Sequence, residues 1–306
     1  MNAEIRREIT LDENGTEEGF LHTANGRIWY RISGKDKKGT PMLCLHGGPA
    51  YGHYYMEPVE GFSDERPVIQ YDQLGCGDSD RPDAPDLWST DYFADEFGDV
   101  ISALGLKDFI LMGHSWGAML AMYYMVNRTQ NGIRAAVLSS PIASFSEMGR
   151  NMVELIKGLP AEIAEAVLKG EEAGDYTSEL FAKGKDMIFG KFICRIPPQE
   201  WPMSLVRSMT EMGQQVYMTM WGMKMINCTG VAKDFDVSGQ FGEIKVPVLL
   251  TCGEYDYCTP GACEAYRAAM PDAELAVVAD ASHHHLLEQP EAYRKAVKEW
   301  IGKREI

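Results

Sequence analysis

The segment Gly113-His114-Ser115-Trp116-Gly117 sets a serine between glycines two residues before and two after it. The apolar run Phe109 to Met112 leads into it, and a helix-like stretch from Trp116 to Arg128 follows. A serine nucleophile needs that strand–turn–helix setting. The turn is so tight that only small residues fit on either side, and it lifts the hydroxyl above the sheet. The helix that follows aims its first N–H groups at a developing negative charge. The chemistry to expect is attack of the Ser115 hydroxyl on a carbonyl carbon.

Such an attack requires a base, a carboxylate to orient it and donors for the oxyanion. In this arrangement the acid and then the base follow the serine along the chain. The run Val246 to Leu250 ends in Thr251-Cys252-Gly253-Glu254-Tyr255-Asp256, where Asp256 is the preferred acid and Glu254 its local competitor. A later run ends in Asp280-Ala281-Ser282-His283-His284-His285, and His283 is the preferred base among the three histidines. Three successive histidines also suggest a metal. Adjacent side chains diverge, however, and no Cys/His spacing elsewhere completes a zinc set. No metal and no organic cofactor is expected. Leu45-His46-Gly47-Gly48-Pro49 follows another apolar run. The Gly48 N–H is expected to join the Trp116 N–H as the oxyanion hole, with His46 fixing the loop.

The elements that must carry these residues follow from hydrophobic spacing. Met42 to Leu45, Val68 to Tyr71, Phe109 to Met112, Ala135 to Leu138, Val246 to Leu250 and Leu275 to Val278 are short apolar runs. Such runs fit strands buried on both faces of a parallel sheet. Helices are expected over Asp91 to Leu104, Trp116 to Arg128, Gly261 to Met270 and Pro290 to Gly302. Strands alternating with helices predict an α/β fold with a mostly parallel sheet flanked by helices. Gly19 to Thr23 and Arg27 to Arg31, around Ala24-Asn25-Gly26, read as a hairpin. The first ten residues read as polar and peripheral. From 142 to 242 the alternation stops, and helices are expected over Glu147 to Leu159, Ala161 to Lys169, Thr177 to Phe189 and Ser204 to Met220. Ten of the eighteen methionines lie in this stretch. They fit ordinary helix core, or an adaptable apolar wall over a pocket.

Composition narrows the function classes. The 306 residues carry 29 Lys+Arg against 45 Asp+Glu, a net charge of −16. That balance argues against binding to nucleic acid or to an anionic membrane surface, both of which need basic residues. No run approaches the roughly 20 apolar residues of a membrane span. The start MNAEIRREIT has no apolar signal-peptide core. Seven cysteines, an odd number without a CxxC pair, fit free thiols in a reducing, cytoplasmic compartment.

Five segments, taken together, resemble the proline iminopeptidase family of α/β-hydrolases, which also contains amino-acid amidases. They are His46-Gly47-Gly48-Pro49, Tyr71-Asp72-Gln73-Leu74-Gly75-Cys76-Gly77-Asp78-Ser79, Gly113 to Gly117, Gly253-Glu254-Tyr255-Asp256 and Ser282-His283. Their order and spacing fit nearly the whole chain. The resemblance implies an α/β-hydrolase fold, with Ser115, Asp256 and His283 as a catalytic triad. It also implies a core of residues 1–141 and 243–306 and an inserted helical cap of residues 142–242. Two departures matter. Ala50 replaces a family glycine, a minor change. The family's aminopeptidases bind the substrate's α-ammonium with acidic side chains, and the matching positions here are Met225 and Tyr257. Met223, Met225 and Tyr257 are therefore expected to form an apolar substrate-binding wall, unless Glu200 or Glu211 compensates. The expected substrate is a small amide or short peptide. An esterase acting on small apolar esters and a non-catalytic receptor are the alternatives, and nothing in the sequence bears on oligomeric state.

Overall fold

The computed structural model describes residues 5–11 and 15–306. Nine strands form one sheet: β1 Arg6–Leu11, β2 Glu17–His22, β3 Arg27–Ser33, β4 Met42–Leu45, β5 Val68–Tyr71, β6 Phe109–His114, β7 Ile133–Ser139, β8 Val248–Gly253 and β9 Ala273–Val278. Their order is β1-β2-β3-β5-β4-β6-β7-β8-β9. The pairings among β1, β2, β3 and β5 are antiparallel, and those from β5 through β4 to β9 are parallel. The polar N-terminal segment thus contains an edge strand, exposed along most of its length. Residues 1–4 of that segment lie outside the described residues.

The apolar runs in β4 to β8 are strands because both of their faces are covered. The run Leu275 to Val278 departs from that expectation: β9 is an edge strand of the sheet, with only one neighbouring strand among the described residues, and Val277 is 46% exposed. Leu43, Leu45, Leu111, Leu138 and Leu250 belong to one buried cluster. Their neighbours Met42, Cys44, Ile110, Met112, Val137 and Leu249 belong to another, on the opposite face. Alternation with period two sends successive side chains to opposite sides. Helices α1 Thr90–Ala103 and α2 Trp116–Asn127 supply residues to the first cluster.

Between β7 and β8 the chain forms α3 Phe145–Lys157, α4 Ala161–Ala173, α5 Glu179–Ile188, α6 Met203–Thr210 and α7 Gln214–Met220. Of these, α3, α4 and α5 enclose a third apolar cluster around Met152, Ile156, Ile163 and Phe181, whereas α6 and α7 pack into the first two. After β8 come α8 Pro260–Ala269, α9 His285–Glu288 and α10 Pro290–Lys303. The single helix expected over Ser204 to Met220 is broken at Gly213. The Gly213 N–H donates to the Ala50 carbonyl at 3.0 Å. A Cβ at Gly213 would stand 2.1 Å from the Gly75 carbonyl oxygen. Close docking on the loop after β4 thus overrides the helical pattern. No described helix is long and apolar enough to cross a membrane.

Candidate active site

Ser115 sits between β6 and α2 with φ 53°, outside the conformations a serine ordinarily adopts. The flanking glycines permit this. A Cβ on Gly113 would approach the Gly117 carbonyl oxygen to 2.4 Å, and one on Gly117 would approach that of Leu45 to 2.1 Å. The Ser115 side chain faces a cavity of about 190 Å³ bordered by Gly48, Trp116 and His283. Neither the Gly48 nor the Trp116 N–H donates to a described group.

Asp256 and His283 come from the ends of β8 and β9 and meet beneath this cavity. His283 Nδ1–H donates to Asp256 Oδ1 at 2.9 Å. Asp256 also accepts the Cys258 N–H at 2.8 Å and the Ser140 hydroxyl at 2.5 Å. Glu254 is exposed and accepts the Asp280 N–H instead, so the acid beside the histidine is Asp256. The three histidines diverge. His284 stacks on His114, and His285 hydrogen-bonds Ser140 and Thr251. Burial and neighbouring histidines push the His114 and His284 imidazoles well below their usual pKa, so both are neutral.

Two hydrogen-bond chains hold the surrounding loops. The Gly47 N–H donates to the Tyr55 hydroxyl, which donates to His114 Nδ1 at 2.8 Å. His114 Nε2–H donates to the His283 carbonyl at 2.8 Å. The loop after β4 is thereby tied to the backbone of His283. In the second chain His46 Nδ1–H donates to the Gly47 carbonyl and Nε2 accepts the Gln73 N–H. Gln73 in turn accepts the Trp116 indole N–H at 2.9 Å. His46 fixes the loop, as expected. Ala50 in that loop holds φ 96°, a conformation that costs a non-glycine residue about 1–3 kcal/mol. Its replacement of a glycine is not minor for the backbone.

Tyr257 was expected as apolar wall, but its hydroxyl has a polar role. It donates to His283 Nε2 at 3.0 Å. Its ring stacks on the imidazole with centroids 4.2 Å apart. Burial drives the phenol pKa well above its usual value, so it stays protonated. Met225 lines the cavity together with Met119, Met148 and Met152. Met223 does not; it is 76% exposed and borders an outer pocket, because the turn after α7 points it away. Glu200 is exposed, and Glu211 borders a separate surface pocket. Glu171, 4% exposed, lies behind Met225 and accepts the Met225 and Ile226 N–H groups. No Asp or Glu is among the described residues lining the Ser115 cavity.

An alpha/beta hydrolase fold family matches residues 40–290. A proline iminopeptidase of Heyndrickxia coagulans is 34% identical, over 93% of this chain and 98% of its own. The chain belongs to the proline iminopeptidase family of α/β-hydrolases. It is a serine hydrolase of the peptidase class. A family member from Clostridium botulinum is 31% identical over 94% of this chain and 98% of its own. The crystal structure of a Mycobacterium smegmatis proline iminopeptidase matches with TM-score 0.87 at 29% identity, covering 94% of this chain and 98% of that one. Within this family frame, sequence reasoning missed Ser140, Tyr55 and Tyr217 at the site. Ser140 had a signal, a polar residue at the end of β7 beside the strand that carries Ser115. The tyrosines had none, because their placement depends on loop and helix docking.

Proposed function

We propose that this chain hydrolyses a small amide or short peptide through a triad of Ser115, His283 and Asp256, and that it prefers substrates whose α-amine is uncharged or acylated. One observation carries this reading. The cavity at Ser115 presents the phenols of Tyr51, Tyr55, Tyr217 and Tyr257, and no carboxylate, among its described lining. A protonated phenol hydrogen-bonds neutral groups but supplies no full counter-charge to an ammonium. A buried ammonium without a counter-charge is penalised by several kcal/mol.

Substrate entry displaces the Tyr257 hydroxyl from His283 Nε2. The Ser115 oxygen bonds to the carbonyl carbon, and its proton passes to Nε2. Asp256, already accepting the Nδ1–H, stabilises the imidazolium. The Gly48 and Trp116 N–H groups take the oxyanion. Collapse breaks the carbon–nitrogen bond, and Nε2 returns the proton to the leaving amine. Water then attacks the acyl ester by the same route, releasing the acid and restoring Ser115.

In this reading residues up to 141 and from 243 onward are the catalytic core, and residues 142–242 are the cap. The separate apolar cluster around Met152 and Ile163 supports that division. Seven free cysteines, six of them buried, fit a cytoplasmic location. The substrate is a small molecule or short peptide, with no role for nucleic acid or membrane.

The test is kcat/KM for a proline arylamide against its N-acetyl form, with the matching ester alongside. The acetylated amide is expected to be the better amide substrate. Each missing charge-assisted hydrogen bond removes about 1.5–3 kcal/mol, or about ten- to a hundredfold, from free-amine binding. Met225→Glu with Tyr257→Glu should move preference toward the free amine. A strong wild-type preference for the free amine would sink the reading.

A further inference from the structure

The cavity at Ser115 is closed on one side by a partition one side chain thick. Met152, Phe189, Ile193 and Met225 line it. The same four residues line a second chamber of about 170 Å³, whose other walls are Ile188, Ile226 and Lys185. Apart from the Lys185 ammonium this chamber is apolar, and Lys185 is exposed, so it marks the far, solvent end. Two members of the partition are methionines, whose unbranched side chains change shape at low cost. The Ser115 cavity alone is smaller than the roughly 300–1,000 Å³ of an ordinary ligand site, whereas the two chambers joined reach that range.

The partition is also coupled to the base. Phe189–Ile193 is a π-helical turn at the end of α5. Turns of this kind recur at functional sites. The Phe192 and Ile193 carbonyls accept the His283 and His284 N–H groups at 3.2 and 3.0 Å. The segment that walls off the second chamber therefore also holds the backbone of His283.

We infer that the acyl group of the substrate is an elongated, flexible, apolar chain that parts Met152 from Met225 and runs through the second chamber toward Lys185. This rests on the reading above, in which Ser115 is acylated, and puts the acyl group on the Met225 side of the cavity, one of the positions where the family resemblance locates the contacts to the substrate's α-amine. A chain in the second chamber contacts only apolar side chains and the aliphatic stem of Lys185. Each methylene buried there contributes at most about 0.8 kcal/mol, or about fourfold in kcat/KM, from which the cost of parting the methionines is subtracted.

The test is a homologous series of acyl 4-nitroanilides from acetyl through butyryl, hexanoyl and octanoyl to decanoyl. A second series varies the length of an alkyl leaving amine on a fixed acetyl group. Wild-type kcat/KM is expected to rise about tenfold or more from acetyl to octanoyl, and to change little in the second series. Ile188→Phe fills the second chamber without touching the Ser115 cavity. It should flatten the acyl series while leaving acetyl turnover near wild type. Turnover of the short members with no gain beyond butyryl overturns the inference and leaves the triad reading standing. A length dependence confined to the leaving amine also overturns it. No turnover of any member, together with no fluorophosphonate labelling of Ser115, removes both.

Discussion

The two walls of the active-site cavity are built on opposite plans. The wall formed by the strand ends is polar and heavily cross-tied. Asp256 holds three hydrogen bonds, and the chain from Gly47 through Tyr55 and His114 ends on the His283 carbonyl. The wall formed by α3, the π-turn and the segment after α7 is apolar and soft, with Met148, Met152, Phe189 and Met225 facing Ser115. A hydrogen-bonded wall tolerates little displacement, because a buried polar atom left unpaired costs about 1–3 kcal/mol. A methionine wall accepts several shapes at similar energy. The chemistry is thereby fixed while the choice of substrate stays open to change.

The largest effect expected from breaking the polar wall is at its centre. Ser115→Ala and His283→Ala should each reduce kcat by about a thousandfold or more with the fold intact by circular dichroism. If His284→Ala or His285→Ala abolished turnover while His283→Ala did not, the base would be misassigned. Next comes Ser140→Ala, which removes a donor from the Asp256 carboxylate. A hydrogen bond to a charged group is worth about 1.5–3 kcal/mol, so kcat should fall about ten- to a hundredfold with KM little changed. A rise in KM at constant kcat would instead make Ser140 part of substrate binding.

Tyr257 stands where the two walls meet, and its substitution sharpens the comparison. Tyr257→Phe keeps the ring stacked on His283 and removes the hydroxyl that occupies Nε2. One neutral hydrogen bond is worth about 1 kcal/mol, so Ser115 should react about fivefold faster with a fluorophosphonate. A slower reaction would mean that the phenol relays the serine proton rather than blocking it.

The smallest effect on activity is expected from Glu96, buried beneath the polar wall, where it accepts the Leu74 N–H. Burial raises its pKa to about 8 from an ordinary 4.5. Between those values the folded chain keeps a proton that the unfolded chain releases, so stability falls as pH rises through that window and levels off above it. Glu96→Gln mimics the protonated acid. It should raise Tm at pH 9 by about 2–4 °C per kcal/mol regained, with almost no change at pH 5 and little change in kcat. An equal Tm gain at both pH values would show that ionisation is not the cause.

Much of the polar wall was legible in the sequence, because local backbone rules dictate it. The Gly113 to Gly117 turn needs small residues at fixed offsets, and Asp256 and His283 must follow the C-terminal ends of parallel strands. The apolar wall was less legible. Met223 and Met225 are two residues apart, yet one is exposed and the other faces Ser115, a choice made by the turn after α7. Ser204 to Met220 carries a helical pattern, and docking at Gly213 divides it.

The sequence by itself determined the tight turn that carries Ser115, the chain order of Ser115, Asp256 and His283, and the strands that lead into them. Each of these depends on residues close in sequence or on an alternation that the chain must bury. Only the tertiary structure decided that Asp256 rather than Glu254 meets the histidine, that Ser140 supports the acid, and that the Tyr257 hydroxyl occupies His283 Nε2. These contacts join residues 26 to 116 positions apart, and side-chain direction at such separations is set by how strands and loops are stacked, which no local spacing encodes.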